Sequence, residues 1–501
     1  MSNSLTPASD DIFHRFISTP LDTLLAEHRA VKPEAKVLAL FHRCVAEVPA
    51  YRQFLESSGV NPAEISSFKA FQALPLMGKT NYMQTYPLPE RCLGGSLAGS
   101  DRVAVSSGST GQPTFWPRSV LHEQDVAVRF EQVFYDSFRA HERSTLAVVC
   151  FALGNWVGGL YTTSCCWHLA CKGYPLMVAT PGNNKTEIFR VVPELAPHFE
   201  QTVLLGYPPF VKDVIDAGVA EGIDWASFNP KLVFAGEVFS EEWRSLMGQR
   251  IGSVSSCFDS ASLYGTADGG VLGNETPFSI AIRRWLAEHP EAARTLFGES
   301  RLPTLVQYDP ASRFFEMHEG TLVVSGENSV PLVRYHIADK GGVLSYDEMW
   351  AFLGEQGIHS VSELGLNKDF QPRNLPFVFV FGRADFTVSY YGANIYPENV
   401  TVGLEQSEIM AWVSGKFVLE TQETEDGDTT LHIAVELLPG IESEVTIGSV
   451  IAESIRAQLL RLNSEFANYT PAERQLPRIT LHTFADAEYF PVGVKHRYIR
   501  K

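Results

Sequence analysis

The chain has 501 residues, of which 45% are apolar, 20% charged and 11% aromatic. It is too long for one compact core and too apolar for wholesale disorder, so two or three folded domains are expected. Asp and Glu number 58 against 40 Lys and Arg, a net charge of −18. With that balance and no basic cluster, nucleic acid and anionic membranes are excluded as expected partners, while a small polyanion could still be held by local donors and a divalent cation.

The opening MSNSLTPASDD lacks a basic region followed by an apolar one, so no signal peptide is expected. Seven cysteines, an odd number, fit free thiols in a reducing cytoplasm. Residues 34 to 58 carry Val37, Leu38, Phe41, Cys44, Val45 and Val48 at helical spacing, then Tyr51, Phe54 and Leu55 beyond Pro49, which predicts two helices with a break at the proline. Residues 144 to 171 include no Asp, Glu, Lys or Arg, but Asn155, Gly158, Gly159 and His168 suit a buried strand and helix better than a bilayer span. Trp156, Tyr161 and Trp167 in this segment read first as core aromatics and second as walls of an acyl pocket. Cys165, Cys166, His168 and Cys171 match no common zinc spacing and read as buried helix residues.

From about 100 to 385, apolar runs (TLAVVCFAL, YPLMVA, TVLLGY, KLVFAGE, SSCFDSASLYG) alternate with amphipathic stretches such as Val211 to Ala220 and Glu241 to Gly248. This predicts a large α/β domain, over residues 1–384, with ligand sites beyond the strand ends. Residues 277–303 read as a helical insertion and 347–376 as a mixed one. After about 385, KFVLETQ and TTLHIAVELL alternate with period two around ETEDGD, an apolar helical stripe runs from Val445 to Leu462, and RITLHTF adds a strand. This is a small α+β domain, residues 385–501.

The strongest local signal is Ser106-Ser107-Gly108-Ser109-Thr110-Gly111-Gln112-Pro113, directly after the apolar Val103-Ala104-Val105. Glycines let the backbone aim N–H groups inward and the hydroxyls add donors, so the loop can wrap a phosphate. Alone it also reads as a flexible linker; its apolar flanks and proline stop favour the cradle. Further along stand Asp259-Ser260-Ala261-Ser262-Leu263-Tyr264-Gly265-Thr266-Ala267-Asp268-Gly269-Gly270, then Pro331-Leu332-Val333-Arg334-Tyr335-His336-Ile337-Ala338-Asp339, Gly382-Arg383-Ala384-Asp385, Tyr391-Gly392-Ala393-Asn394-Ile395-Tyr396-Pro397 and Gly493-Val494-Lys495-His496-Arg497.

In order, spacing and content these segments resemble the acyl-adenylate-forming (AMP-binding) superfamily, and within it the phenylacetate–CoA ligase branch. VAEVPAYRQFLESSGV, LPLMGKTNY, TVLLGYPPF and FAGEVFSEEWR extend the resemblance over nearly the whole chain. It implies the following roles. Ser106, Ser107, Gly108, Ser109, Thr110 and Gly111 would cradle the β- and γ-phosphates of ATP. Gly236, Glu237 and Val238 would border adenine, Tyr264 would stack on it with Gly265 and Thr266 beside it, and Asp339 would accept the ribose hydroxyls. Arg383 would contact the nucleotide, and Asp268 would hold Mg²⁺. Asp385 would be the hinge of a mobile lid, Gly392 would line the thiol tunnel, and Lys495 would bridge the carboxylate and the α-phosphate.

The chain departs from the family pattern at several points. Gln112 replaces a lysine, Ala267 a Thr or Ser, and Tyr-His-Ile-Ala-Asp the usual Tyr-Arg-Thr-Gly-Asp; Lys495 comes one residue later than the family's lysine. In a strand such a slip would turn the side chain to the other face. Without the resemblance, Asp339 and Asp385 would read as loop aspartates capping helices, His168 and His336 as hydrogen-bonded structural residues, and Lys495 as a solvated tail lysine. The expected activity is ATP-dependent activation of a carboxylic acid, with release of pyrophosphate, and transfer of the acyl group to CoA. The alternatives are a carrier-protein pantetheine or an amine as acceptor, or a nucleotide-binding scaffold without turnover. The branch is also compatible with a homodimer.

Overall fold

Proline has no N–H to donate, so it suits the first turn of a helix and ends the helix before it. Pro33 and Pro49 both act in this way, opening the helices Pro33–Glu47 and Pro49–Ser57. Phe41, Tyr51 and Phe54 from these helices share one core with Met77, Tyr264 and Tyr335, so the N-terminal helices pack directly behind the residues described below as a site. The structure is a computed structural model describing residues 9–105, 114–299, 301–383, 388–391, 393–423, 429–463, 466–467, 470–491 and 496–500.

The chain forms a short ribbon, β1 (Arg102–Val105) with β2 (Phe115–Arg118), and then a large sheet. In chain order the strands of that sheet are β3 (Thr145–Val149), β4 (Leu176–Ala179), β5 (Gln201–Gly206), β6 (Pro230–Ala235), β7 (Ser260–Thr266), β8 (Gly270–Asn274), β9 (Thr304–Gln307), β10 (Arg313–His318), β11 (Thr321–Gly326), β12 (Leu332–Leu344) and β13 (Phe377–Arg383). Their spatial order is β10-β11-β12-β13-β9-β8-β7-β6-β5-β3-β4. The half from β4 to β7 is parallel and the half from β7 to β10 antiparallel. β3, β5 and β6 are almost wholly buried because helices cover both faces. Val157–Cys171 packs on one face, and Lys185–Leu195, Pro208–Ala220 and Glu241–Arg250 pack on the other. The segment SSCFDSASLYG begins with a helical turn, Ser256–Asp259, before β7. The 277–303 segment supplies the helices Pro277–Glu288 and Pro290–Phe297, and the 347–376 segment follows the start of Tyr346–Glu355.

From Val388 onward apolar side chains bury one another in a separate core. It holds β14 (Val388–Tyr390), β15 (Ala393–Ile395), the hairpin β16 (Val413–Glu423) and β17 (Thr429–Leu437), the helix Val445–Leu462, and β18 (Arg478–His482), which pairs parallel with β17. Among the described residues, no helix is long and apolar enough to cross a membrane.

Candidate active site

β6 and β7 are parallel neighbours, and open α/β sheets collect ligands beyond the carboxyl ends of such strands. Past Ala235 the chain turns at Gly236, where φ is 89° and a Cβ would stand 2.7 Å from Cε1 of Tyr207. Only glycine fits there. Glu237 follows, and Val238 lines a crevice with Glu398 and Val402 of the C-terminal part. At the end of β7 a Cβ on Gly265 would lie 2.9 Å from the Gly270 carbonyl, so the backbones of β7 and β8 close tightly around the intervening turn.

That turn is held from several sides. The Thr266 hydroxyl accepts the Gly269 N–H at 2.9 Å. Arg118, buried at the end of β2, donates to the carbonyls of Ala267 and Asp268, the latter at 3.1 Å, and Arg313 donates to the Gly269 carbonyl at 3.1 Å. These guanidiniums anchor backbone that water cannot reach. They thereby fix the Asp268 side chain, whose Oδ2 accepts from the Tyr335 hydroxyl at 2.5 Å and lies 4.0 Å from Lys79 Nζ.

Lys79 arrives from a distant segment. Met77 pairs with β12 through Met77 N to the Arg334 carbonyl (3.1 Å) and His336 N to the Met77 carbonyl (2.8 Å). Asn81 then closes the bend, accepting from Gly78 N at 2.7 Å and donating to the Leu76 carbonyl at 2.9 Å. The second carboxylate, Asp339, accepts the Tyr264 hydroxyl at 2.7 Å. Burial, followed by the charges of Asp339 and Asp268, holds the Tyr264 phenol well above its ordinary range, so it remains a donor. β12 supplies both Tyr335 and Asp339, with left-handed residues at Arg334 (φ 49°) and Ala338 (φ 64°) beside them and register shifts against β11 and β13.

The expected adenine and ribose residues Gly236, Glu237, Tyr264, Gly265, Thr266 and Asp339, together with Asp268, therefore gather at one edge of the sheet. Asp339 lies in a strand, so the helix-cap reading of it is wrong. Arg383 is directly opposite Asp339 in the β12–β13 register. Ser106, Ser107, Gly108, Ser109, Thr110, Gly111, Asp385, Gly392 and Lys495 lie outside the described residues; the strands flanking the first six pair with Val105 opposite Phe115.

Sequence reasoning assigned no role to Lys79, Arg118, Tyr335 or Arg313. Lys79 and Tyr335 stood within motifs already singled out, whereas nothing local distinguishes the two arginines. The aromatic segment divides: Trp167 is 54% exposed and Trp156 45%, while Tyr161 is buried beneath Arg118, whose Cζ is 5.5 Å from its ring centroid. Trp167 is thus no core residue. His336 bonds to Thr321 as expected, at 2.8 Å, but His168 Nδ1 is buried with no partner among the described residues, its ring packed instead against Phe13 and Phe16. Burial pushes the Cys166 thiol up to about 12, and Cys171 of the same helix is exposed. Among the described residues no group of three or more His, Cys, Asp or Glu could hold a metal by itself.

No family model matches the chain. Over its whole length it superposes on 2-hydroxyisobutyryl-CoA ligase in the postadenylation state in complex with R3-HIB-AMP, with a TM-score of 0.66, 13% identity and 94% of that chain covered. The same ligase with 2-HIB-AMP and CoA in the thioesterification state gives a TM-score of 0.54 at 14% identity, covering 99% of this chain and 94% of that one. The fold is that of the adenylate-forming acyl-CoA ligases. In sequence the chain is similar to phenylacetate-coenzyme A ligase from Aromatoleum evansii, 24% identical over 320 residues. That match spans 62% of this chain and 66% of the relative, just under two thirds of its length.

Proposed function

We propose that the protein activates a carboxylic acid with ATP and passes the acyl group to the thiol of CoA. The observation that carries this reading is the convergence of Asp268 and Asp339, each bound by a buried tyrosine, at the carboxyl ends of the parallel strands. A carboxylate oxygen of the acid attacks the α-phosphorus of ATP, the bond to the bridging oxygen breaks, and pyrophosphate leaves. The thiol then attacks the acyl carbon, AMP departs with the electrons of the broken C–O bond, and the thiol proton passes to solvent.

The difficulty of the first step is electrostatic, since an anion must approach a polyanion. Asp339 would accept the ribose hydroxyls and Tyr264 would cover the base, fixing the nucleotide so that the α-phosphorus faces the acid. Lys79 supplies positive charge at the Asp268 end, and Lys495 and the Ser106–Gly111 loop are proposed for the same work. Asp268 suits Mg²⁺ carried by a nucleotide, because such an ion takes one or two protein carboxylates and completes its shell with phosphates and water; it would withdraw charge from the phosphates. Thioester formation would follow rotation of the C-terminal part about Asp385, which would bring Gly392 to the thiol path. The arrangement of the two parts supports a state following adenylation, given the higher TM-score for that form of the ligase.

An aromatic or medium-sized apolar acid is proposed from the resemblance, with Phe151 of the aromatic segment packed edge-on against Tyr207 at 4.9 Å. The test is ATP–pyrophosphate exchange across a panel of acids, followed by thioester formation with CoA or a pantetheine-bearing carrier. If no acid in the panel supports exchange, the protein is a nucleotide-binding scaffold, and transfer only to the carrier would replace CoA as acceptor.

A further inference from the structure

The C-terminal tail makes a contact with the adenine-side loop that the roles above do not use. Residues 498–500 lie along β16 as an added parallel strand: Ile499 pairs with Leu419, Leu419 N donates to the Tyr498 carbonyl at 2.8 Å, and Arg500 N donates to the Leu419 carbonyl at 3.1 Å. His496 donates through Nε2 to the Phe417 carbonyl at 2.7 Å. The Tyr498 ring is wedged between Phe417 and His496, with centroids 4.9 and 4.5 Å away. So fixed, Tyr498 extends its hydroxyl out of the C-terminal part to Glu237 Oε2, at 2.6 Å.

We infer that Tyr498 is a positioning residue for the adenylation step: by binding Glu237 it holds the loop after β6 in its nucleotide-binding shape only while the C-terminal part is docked as seen here. Three observations support this. Glu237 directly follows Gly236, whose left-handed backbone sets the loop's path. Burial and the carboxylates of Glu237, Glu405 and Glu398 keep the Tyr498 phenol protonated, so it is a permanent donor. Docking does not depend on this bond alone, because Ser240 bonds to Glu405 and Arg301 to Glu398 (3.0 Å) across the same boundary, with the Arg301 guanidinium 3.9 Å from the Tyr396 ring centroid. Removing the hydroxyl therefore alters the loop without releasing the C-terminal part. Rotation of that part would withdraw Tyr498 from Glu237, so the second half-reaction would not use it.

The inference rests on the proposed ligase reaction, and its test separates the two. For Tyr498→Phe, the KM for ATP in pyrophosphate exchange should rise roughly tenfold, the loss expected for one hydrogen bond to a charged group. Thioester formation from supplied acyl-adenylate and CoA should match the native rate. Glu237→Gln, which keeps an acceptor, should lose less, and the double variant should lose no more than Tyr498→Phe alone. Parallel loss in both half-reactions, additive losses, or an unchanged KM would each overturn the inference. Hydrogen exchange reads the contact without turnover: amides at 235–240 should exchange faster in Tyr498→Phe, and equal protection would overturn it. Failure of the native protein to exchange pyrophosphate with any acid of the panel would refute the ligase reading, while hydrogen exchange would still decide whether Tyr498 orders the loop.

Discussion

Tyr264→Phe separates two functions of one side chain. The substitution keeps the ring that would cover adenine and removes only the hydroxyl, which donates to Asp339 across 2.7 Å in a buried setting. A hydrogen bond to a charged group is worth about 1.5–3 kcal/mol. Part of that loss falls on the free protein, where Asp339 loses a donor, and part on the complex, where a carboxylate free to turn accepts ribose hydroxyls less well. Assigning about half to binding gives about 0.8–1.5 kcal/mol, or about a four- to twelvefold rise in the Kd of ATP. Calorimetric titration with ATP and magnesium reads this directly, and Tyr264→Ala run alongside should weaken binding further by removing the ring. An unchanged Kd in Tyr264→Phe would refute the reasoning, because the hydroxyl would then have no part in preparing Asp339 for the nucleotide.

Three further outcomes are expected. Lys79→Met should slow pyrophosphate exchange about 10–100-fold, by removing a positive charge 4.0 Å from the Asp268 carboxylate, with Lys79→Arg retaining part of the rate; native exchange in Lys79→Met would remove the lysine from the chemistry. Ala338→Gly should raise stability by about 1 kcal/mol, because alanine at φ 64° carries a left-handed backbone penalty that glycine does not; chemical denaturation measures it, and no gain would mean the strain is absorbed elsewhere. Glu405 gives a pH dependence: burial first, then repulsion from Glu242, raises its carboxyl from the ordinary 4.5 to about 8 despite its bond to Ser240. The docked state therefore binds this proton more tightly than the released one, so the Glu405 contribution to docking is full below about pH 4.5 and is lost progressively up to about pH 8, by at most about 1.4 kcal/mol per pH unit. Hydrogen exchange at 238–242 from pH 5 to 9 should show this slope, Glu405→Gln should flatten it, and an equal slope in the variant would assign it to other groups.

Much of the local structure was legible in the sequence because its causes are local. The break at Pro49 follows from a missing N–H, the apolar run of β3 from burial on both faces, and the hairpin β16–β17 from period-two alternation. Motif order singled out Tyr264, Asp268 and Asp339, and the fold brings their side chains together. The same local signals failed where exposure is set by neighbours distant in the chain. Trp167 and Tyr161 belong to one apolar helix, yet Tyr161 lies under Arg118 while Trp167 reaches solvent.

What the sequence determined by itself is the set of elements and the chemistry that the motifs carry, since backbone sterics, side-chain periodicity and donor inventory act over a few residues. Tertiary structure alone decided which side chains complete that chemistry. Lys79 meets Asp268 because Met77 joins β12, Arg118 steadies the turn after Thr266 because β2 ends beneath it, and Tyr498 reaches Glu237 because the tail lies along β16. Each of these contacts joins residues more than a hundred positions apart, and only the chain's path through the folded sheet brings them within bonding distance.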